Sequence, residues 1–148
     1  VKARVVGFGQ WRGGDDAVGL EVVRALAPIE GVEVREAVEP SELVELAVGV
    51  DLVVVVDAVV GAGERGSVVR LEPEQLGRAR TVSTHGIDVP TALALARATG
   101  REPARVAIVG VAIDTAERGA VGLSPAVARA VPRAVEMVRA ILGELAHA

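Results

Sequence analysis

The chain has 148 residues, enough for one domain with its own hydrophobic core, and we read residues 1–148 as a single domain. Its net charge is −4 and aromatics make up 1% of it; with no basic cluster and no aromatic platform, nucleic-acid binding is not expected. There is no cysteine, which excludes disulfides, thiolate nucleophiles and thiolate metal sites, and no apolar run approaches the roughly 18 residues that span a bilayer.

In chain order, residues 3–8 (ARVVGF) read as a first strand, followed by a Gly-rich turn and a helix from Asp16 to Ala27 with Val18, Val22, Val23 and Leu26 on one buried stripe. Val32 to Val38 alternates as a second strand. Pro40 and Ser41 open a short helix, with Ser41 as its N-cap. Residues 51–57 (DLVVVVD) form the clearest strand, and four successive valines without alternation place it at the centre of a sheet covered on both faces. The segment from Gly66 to Leu71 is a short strand suited to an antiparallel edge. Asp88 to Thr91 begin a helix through Ala98, with Pro90 in its first turn and Gly100 as its stop. Arg105 to Val111 is the last strand. Ser124 caps the final helix, Pro125 takes its first position, and Pro132 should kink it or mark where its regular part begins.

This order predicts an α/β three-layer sandwich: a mostly parallel central sheet of about five strands, one antiparallel edge strand, and helices on both faces. No N-terminal signal stands out, so the reading is a soluble cytoplasmic protein without membrane association. The absence of Asn and the many Arg and Glu resemble thermophile composition, a bias that GC-rich coding also produces.

Three residues in the turns carry the chemistry. Asp16, Asp57 and His85 each lie at or just after an apolar segment, so parallel strands would gather them at one sheet edge, as either a metal site or an acid/base site. The first loop (Gly7, Gly9, Gly13) partly resembles a dinucleotide fingerprint, with Glu36 near a ribose-binding position. Asp15 and Asp16 in the helix's first turn would repel a pyrophosphate, however, and Lys2 is the chain's only lysine, so a nucleotide is not expected. For Asp15 the plain reading is helix capping and a favourable dipole contact. For Asp57 it is a strand-end carboxylate bonded to loop amides. His85 alone would be read as structural, and His147 lies in the tail. Phe8 is expected in the core. Trp11 is expected to be exposed, as a docking surface for a protein partner or packed against a neighbouring loop.

The motifs together resemble the hydrogenase maturation proteases, which process the large subunit of nickel-iron hydrogenases. They are GFGQWRGGDDAVG from Gly7 to Gly19, Val53 to Asp57, Arg65-Gly66-Ser67, Ser83-Thr84-His85 with TALALA after it, Val109-Gly110-Val111, and Gly122-Leu123-Ser124-Pro125. The resemblance implies that Asp16, Asp57 and His85 are the catalytic and metal-contacting positions. It also implies that the metal is Ni²⁺ supplied by the substrate, with Cd²⁺ or Zn²⁺ able to substitute in vitro. The partner so implied is a nickel-containing hydrogenase large-subunit precursor, from which a short C-terminal extension is removed. Gln10, Arg65 and Gly86 depart from the family pattern. So does the Ala37–Ser41 segment, which stands where the family often has a Gly-Gly-Thr-like turn tied to substrate choice. A thiol protease is excluded and no serine triad is evident, so the attacking group stays open. The alternative from another class is a non-catalytic metal- or partner-binding domain on the same fold.

Overall fold

The computed structural model describes residues 2–77, 80–81, 88–114 and 121–146. Its strands are β1 (Ala3–Phe8), β2 (Val32–Ala37), β3 (Leu52–Val60), β4 (Val68–Leu71), β5 (Arg80–Thr81) and β6 (Arg105–Ile113). Its helices are α1 (Val18–Ala25), α2 (Leu43–Leu46), α3 (Val89–Ala98) and α4 (Pro125–Ala146). The main sheet order is β2-β1-β3-β6-β4, parallel throughout except for β4, which runs antiparallel to β6 at the edge as expected. β5 was not anticipated. It pairs antiparallel with the end of β3, Thr81 opposite Val59.

The valine runs form the centre because β-branched side chains fill a pleated surface covered on both sides. Val5, Val54 and Val56 face α1 and α4, meeting Val18, Val22, Val127 and Val138. Val6, Val53, Val55 and Ile108 face α2 and α3, meeting Leu43, Val89 and Leu93. Phe8 is buried in this second layer. Among the described residues no helix is long and apolar enough to cross a membrane.

Several ends differ from the sequence reading. Residues Gly14–Ala17 form a 3-10 turn ahead of α1, and the helix stops at Ala25. The short second helix is capped by Glu39, in a reciprocal capping box with Glu42, and Ser41 lies inside the turn. Asp88 caps α3, accepting the Thr91 N–H at 2.8 Å, as the Pro90 placement predicts. α4 runs unbroken through Pro132, which sits on the exposed face, where water can take the carbonyl bond that proline cannot supply.

α1 packs against the carboxyl ends of two strands through a glycine. A Cβ at Gly19 would fall 2.5 Å from the Val56 carbonyl oxygen and closer still to that of Phe8. Both are backbone atoms inside the sheet, so neither can yield. Gly19→Ala is therefore expected to lower the unfolding free energy by about 3 kcal/mol. Gly143→Ala, where a Cβ meets nothing within 4 Å, should leave it unchanged or raise it by up to about 1 kcal/mol. Urea denaturation of both variants checks the pair; equal midpoints would refute the contact argument.

Candidate active site

The connection from β1 passes through α1 to β2 on one side, while β3 lies on the other. The carboxyl ends of β1 and β3 thus open a crevice at a topological switch point, where α/β sheets usually bind ligands. Val56 still pairs with Gly7 of β1, but Asp57 pairs only with Gly110 of β6. Asp57 therefore stands at the first position past the β1 ladder. It does not end its strand, as the sequence suggested: Ala58–Val60 are apolar and continue the pairing with β6 through Ile113. Its side chain is buried, 4% exposed, and accepts the Ala58 N–H at 2.8 Å.

Asp16 lies in the 3-10 turn, half-buried, with its N–H bonded to the Gly13 carbonyl at 3.1 Å. Gly13 is packed beneath it: a Cβ there would fall 2.8 Å from the Asp16 Cβ. Burial raises the Asp16 pKa above the usual aspartate value, a bond from the Gln10 backbone lowers it, and the Glu39 charge raises it again. Burial pushes Asp57 well above that value, and the Asp16 charge pushes it further. The two sequence-predicted aspartates are thus brought into one electrostatic unit, in which one proton or one cation relieves both.

Glu39 is the member that sequence reasoning missed. Its segment was singled out only as a departure from the family pattern; the signal that could have found it is the capping-box spacing Glu39 to Glu42. His85 lies outside the described residues. Thr81, four residues before it, pairs with Val59 of the strand that carries Asp57. Among the described residues no group of three or more His, Cys, Asp or Glu side chains could hold a metal ion.

Asp15 is buried and does not cap its own turn. It accepts the Ser124 N–H at 2.7 Å and the Ser124 hydroxyl at 2.8 Å, across 109 residues of sequence. Trp11 is 38% exposed, and its ring carries the Arg24 guanidinium 4.1 Å from the centroid. Arg24 in turn reaches Glu36 at 3.4 Å.

The hydrogenase maturation protease family profile matches residues 24–141. This chain belongs to that family. The hydrogenase-maturating endopeptidase HybD of Escherichia coli is 26% identical, with a TM-score of 0.80 over 97% of this chain and 93% of that one. An endopeptidase of Escherichia coli solved in solution is 27% identical, with a TM-score of 0.83 over the same shares. The [NiFe] hydrogenase maturation protease HybD of Thermococcus kodakarensis is 24% identical and has the same fold, with a TM-score of 0.77 over 95% of this chain and 99% of that one. No curated protein sequence matches the chain. The protein is accordingly a peptide hydrolase of hydrogenase maturation.

The buried pair sets a pH dependence. A carboxyl whose folded pKa lies above its unfolded one contributes stability that is fully present below the unfolded pKa. That stability is lost as pH rises through the folded pKa. The cation-free protein should therefore weaken from about pH 4 upward as Asp57 ionises. Asp57→Asn, neutral at all pH, should flatten this slope to the part that Asp16 contributes and raise stability at pH 7. Denaturation midpoints between pH 4 and 8 check it, and a wild type and variant with parallel pH profiles would refute it.

Proposed function

We propose that this protein removes a C-terminal extension from a nickel-loaded hydrogenase large-subunit precursor. The observation that carries the reading is the Asp16–Asp57 pair: two carboxylates at one strand edge, Asp57 buried, both held more basic than usual, with no ion pair to either among the described residues. A donor set of carboxylate oxygens suits a divalent ion, and imidazole would add the borderline character that Ni²⁺ favours. His85 is the third member by family resemblance. Chain continuity supports it, since the four residues from Thr81 to His85 reach at most about 14 Å.

The nickel is the precursor's own and so is part of the substrate; brought to the crevice, it supplies a Lewis acid beside the scissile peptide. Asp57, buried within β3 with one oxygen held by the Ala58 N–H, would present a carboxylate to the ion, its proton passing to solvent. Asp16, half-exposed at the mouth and more basic than a free carboxylate, is suited to accept a proton from an attacking water. A precursor without nickel leaves the pair protonated or repelling, which ties cutting to metal loading. Trp11 and Val38, exposed and just past the carboxyl ends of β1 and β2, are offered as apolar contacts for the precursor chain. The compartment proposed is the cytoplasm, on the sequence grounds already given.

The test is cleavage of a purified precursor, loaded or unloaded with Ni²⁺. Wild type should cut only the loaded form. Asp16→Ala and His85→Ala should lose about 100-fold or more in processing with little loss of stability. Equal cutting of both precursors would refute the metal-gated reading. Binding of loaded precursor without cutting would favour a non-catalytic domain on the same fold. Marked unfolding of His85→Ala would return that residue to a structural role.

A further inference from the structure

Two sequence motifs take no part in the chemistry proposed above: the first aspartate of the Asp15-Asp16 pair and the Gly122–Pro125 start of the last helix. The structure joins them. Both carboxylate oxygens of Asp15 are spent on Ser124, one on its N–H and one on its hydroxyl. The Ser124 carbonyl accepts the Ala128 N–H at 2.8 Å, so Asp15 holds the residue that opens the α4 ladder.

The start of α4 is a fixed object. Its first turn is wedged by Gly66, where a Cβ would fall 2.7 Å from the Ala126 carbonyl oxygen. Gly66 has φ +90°, a left-handed conformation suited to glycine. Its N–H bonds the Ala112 carbonyl of β6 at 2.9 Å, and its carbonyl accepts from Arg133 of α4 at 2.7 Å. Val127, Ala130, Ala134 and Val138 then bury the helix on the sheet. The turn that carries Asp16 is four residues of 3-10 helix without a side-chain cap; its backbone lies against Gly9, where a Cβ would meet the Asp16 carbonyl, and Asp15 is its side-chain tie to another element. In a 3-10 turn successive side chains diverge by about 120°, so Asp15 can grip α4 while Asp16 is turned toward the crevice.

We infer that Asp15 is a positioning residue for the proposed cleavage: by bonding Ser124 it fastens the Gly14–Ala17 turn to the wedged start of α4 and fixes where the Asp16 carboxylate stands relative to Asp57. The inference rests on the function proposed above. It assigns a role to the first aspartate that neither capping nor the helix dipole supplies. Asp15→Ala removes both bonds. Asp15→Asn keeps an oxygen for the Ser124 N–H and an amide for the hydroxyl, and so acts as the conservative rescue.

The experiment compares wild type, Asp15→Ala and Asp15→Asn by amide hydrogen exchange at Asp16 and by kcat and KM on the nickel-loaded precursor. Asp15→Ala should exchange its Asp16 amide about 10-fold faster or more. Its kcat should fall by about 10- to 100-fold with KM within about 2-fold. Asp15→Asn should stay within about 3-fold of wild type in both. If Asp15→Ala keeps the wild-type exchange rate at Asp16, or keeps the wild-type kcat, the positioning role is overturned. Should Asp15→Ala fail to fold, Ser124→Ala carries the same comparison, with smaller changes in the same direction expected and none overturning the role. A wild type that cuts no precursor would sink the proposed function instead, and the exchange rates would still decide whether Asp15 holds the turn.

Discussion

The seating of α1 on the carboxyl ends of β1 and β3 is the contact on which the remaining geometry depends. Gly19 lets helix backbone touch strand backbone, with the carbonyls of Phe8 and Val56 where any side chain would have to go. That contact sets the height of α1 above the sheet, and with it the height of the 3-10 turn that precedes the helix. The turn is then held against Gly9 and tied to the start of α4 through Asp15, and Asp16 comes to the crevice from it.

The charges themselves work against the fold. Asp57 is an acid buried in a strand of valines, with one backbone bond and a like-charged neighbour. Such a group destabilises a protein that has nothing to neutralise it, and functional sites are where this kind of cost is tolerated. Surrounding order keeps the pair together: β3 is paired through Val60, and Gly13 closes the space under Asp16. Such a pair is eased by a proton at low pH, and under the function proposed the ion that would ease it at neutral pH arrives with the substrate.

The far end of the chain is drawn into the same arrangement. α4 packs against α1 on one face of the sheet, and its opening residue is bonded to the aspartate beside Asp16. Gly66, between β3 and β4, packs against the same helix start. Three short motifs, far apart in sequence and none of them distinctive alone, meet around one helix terminus. Trp11, Arg24 and Glu36 form an exposed ladder that ties the loop after β1 to α1 and β2.

The sequence by itself determined the layers, the central position of β3, the antiparallel edge at β4, and Asp16 and Asp57 as the residues to watch. These follow from local pattern: valine runs, a helical stripe at Val18, Val22 and Val23, and proline and aspartate at helix starts. It misplaced the end of β3, because a carboxylate reads as a strand stop; pairing with β6 carries the strand on through Ala58–Val60. It read Asp15 as a cap for the helix it precedes, whereas the carboxylate is used 109 residues away. It took Ser41 for a cap that Glu39 supplies, and so overlooked the charge acting on Asp16. Only the tertiary structure decided these, because each depends on which element packs across the crevice, and periodicity along a chain holds no record of its neighbours in space.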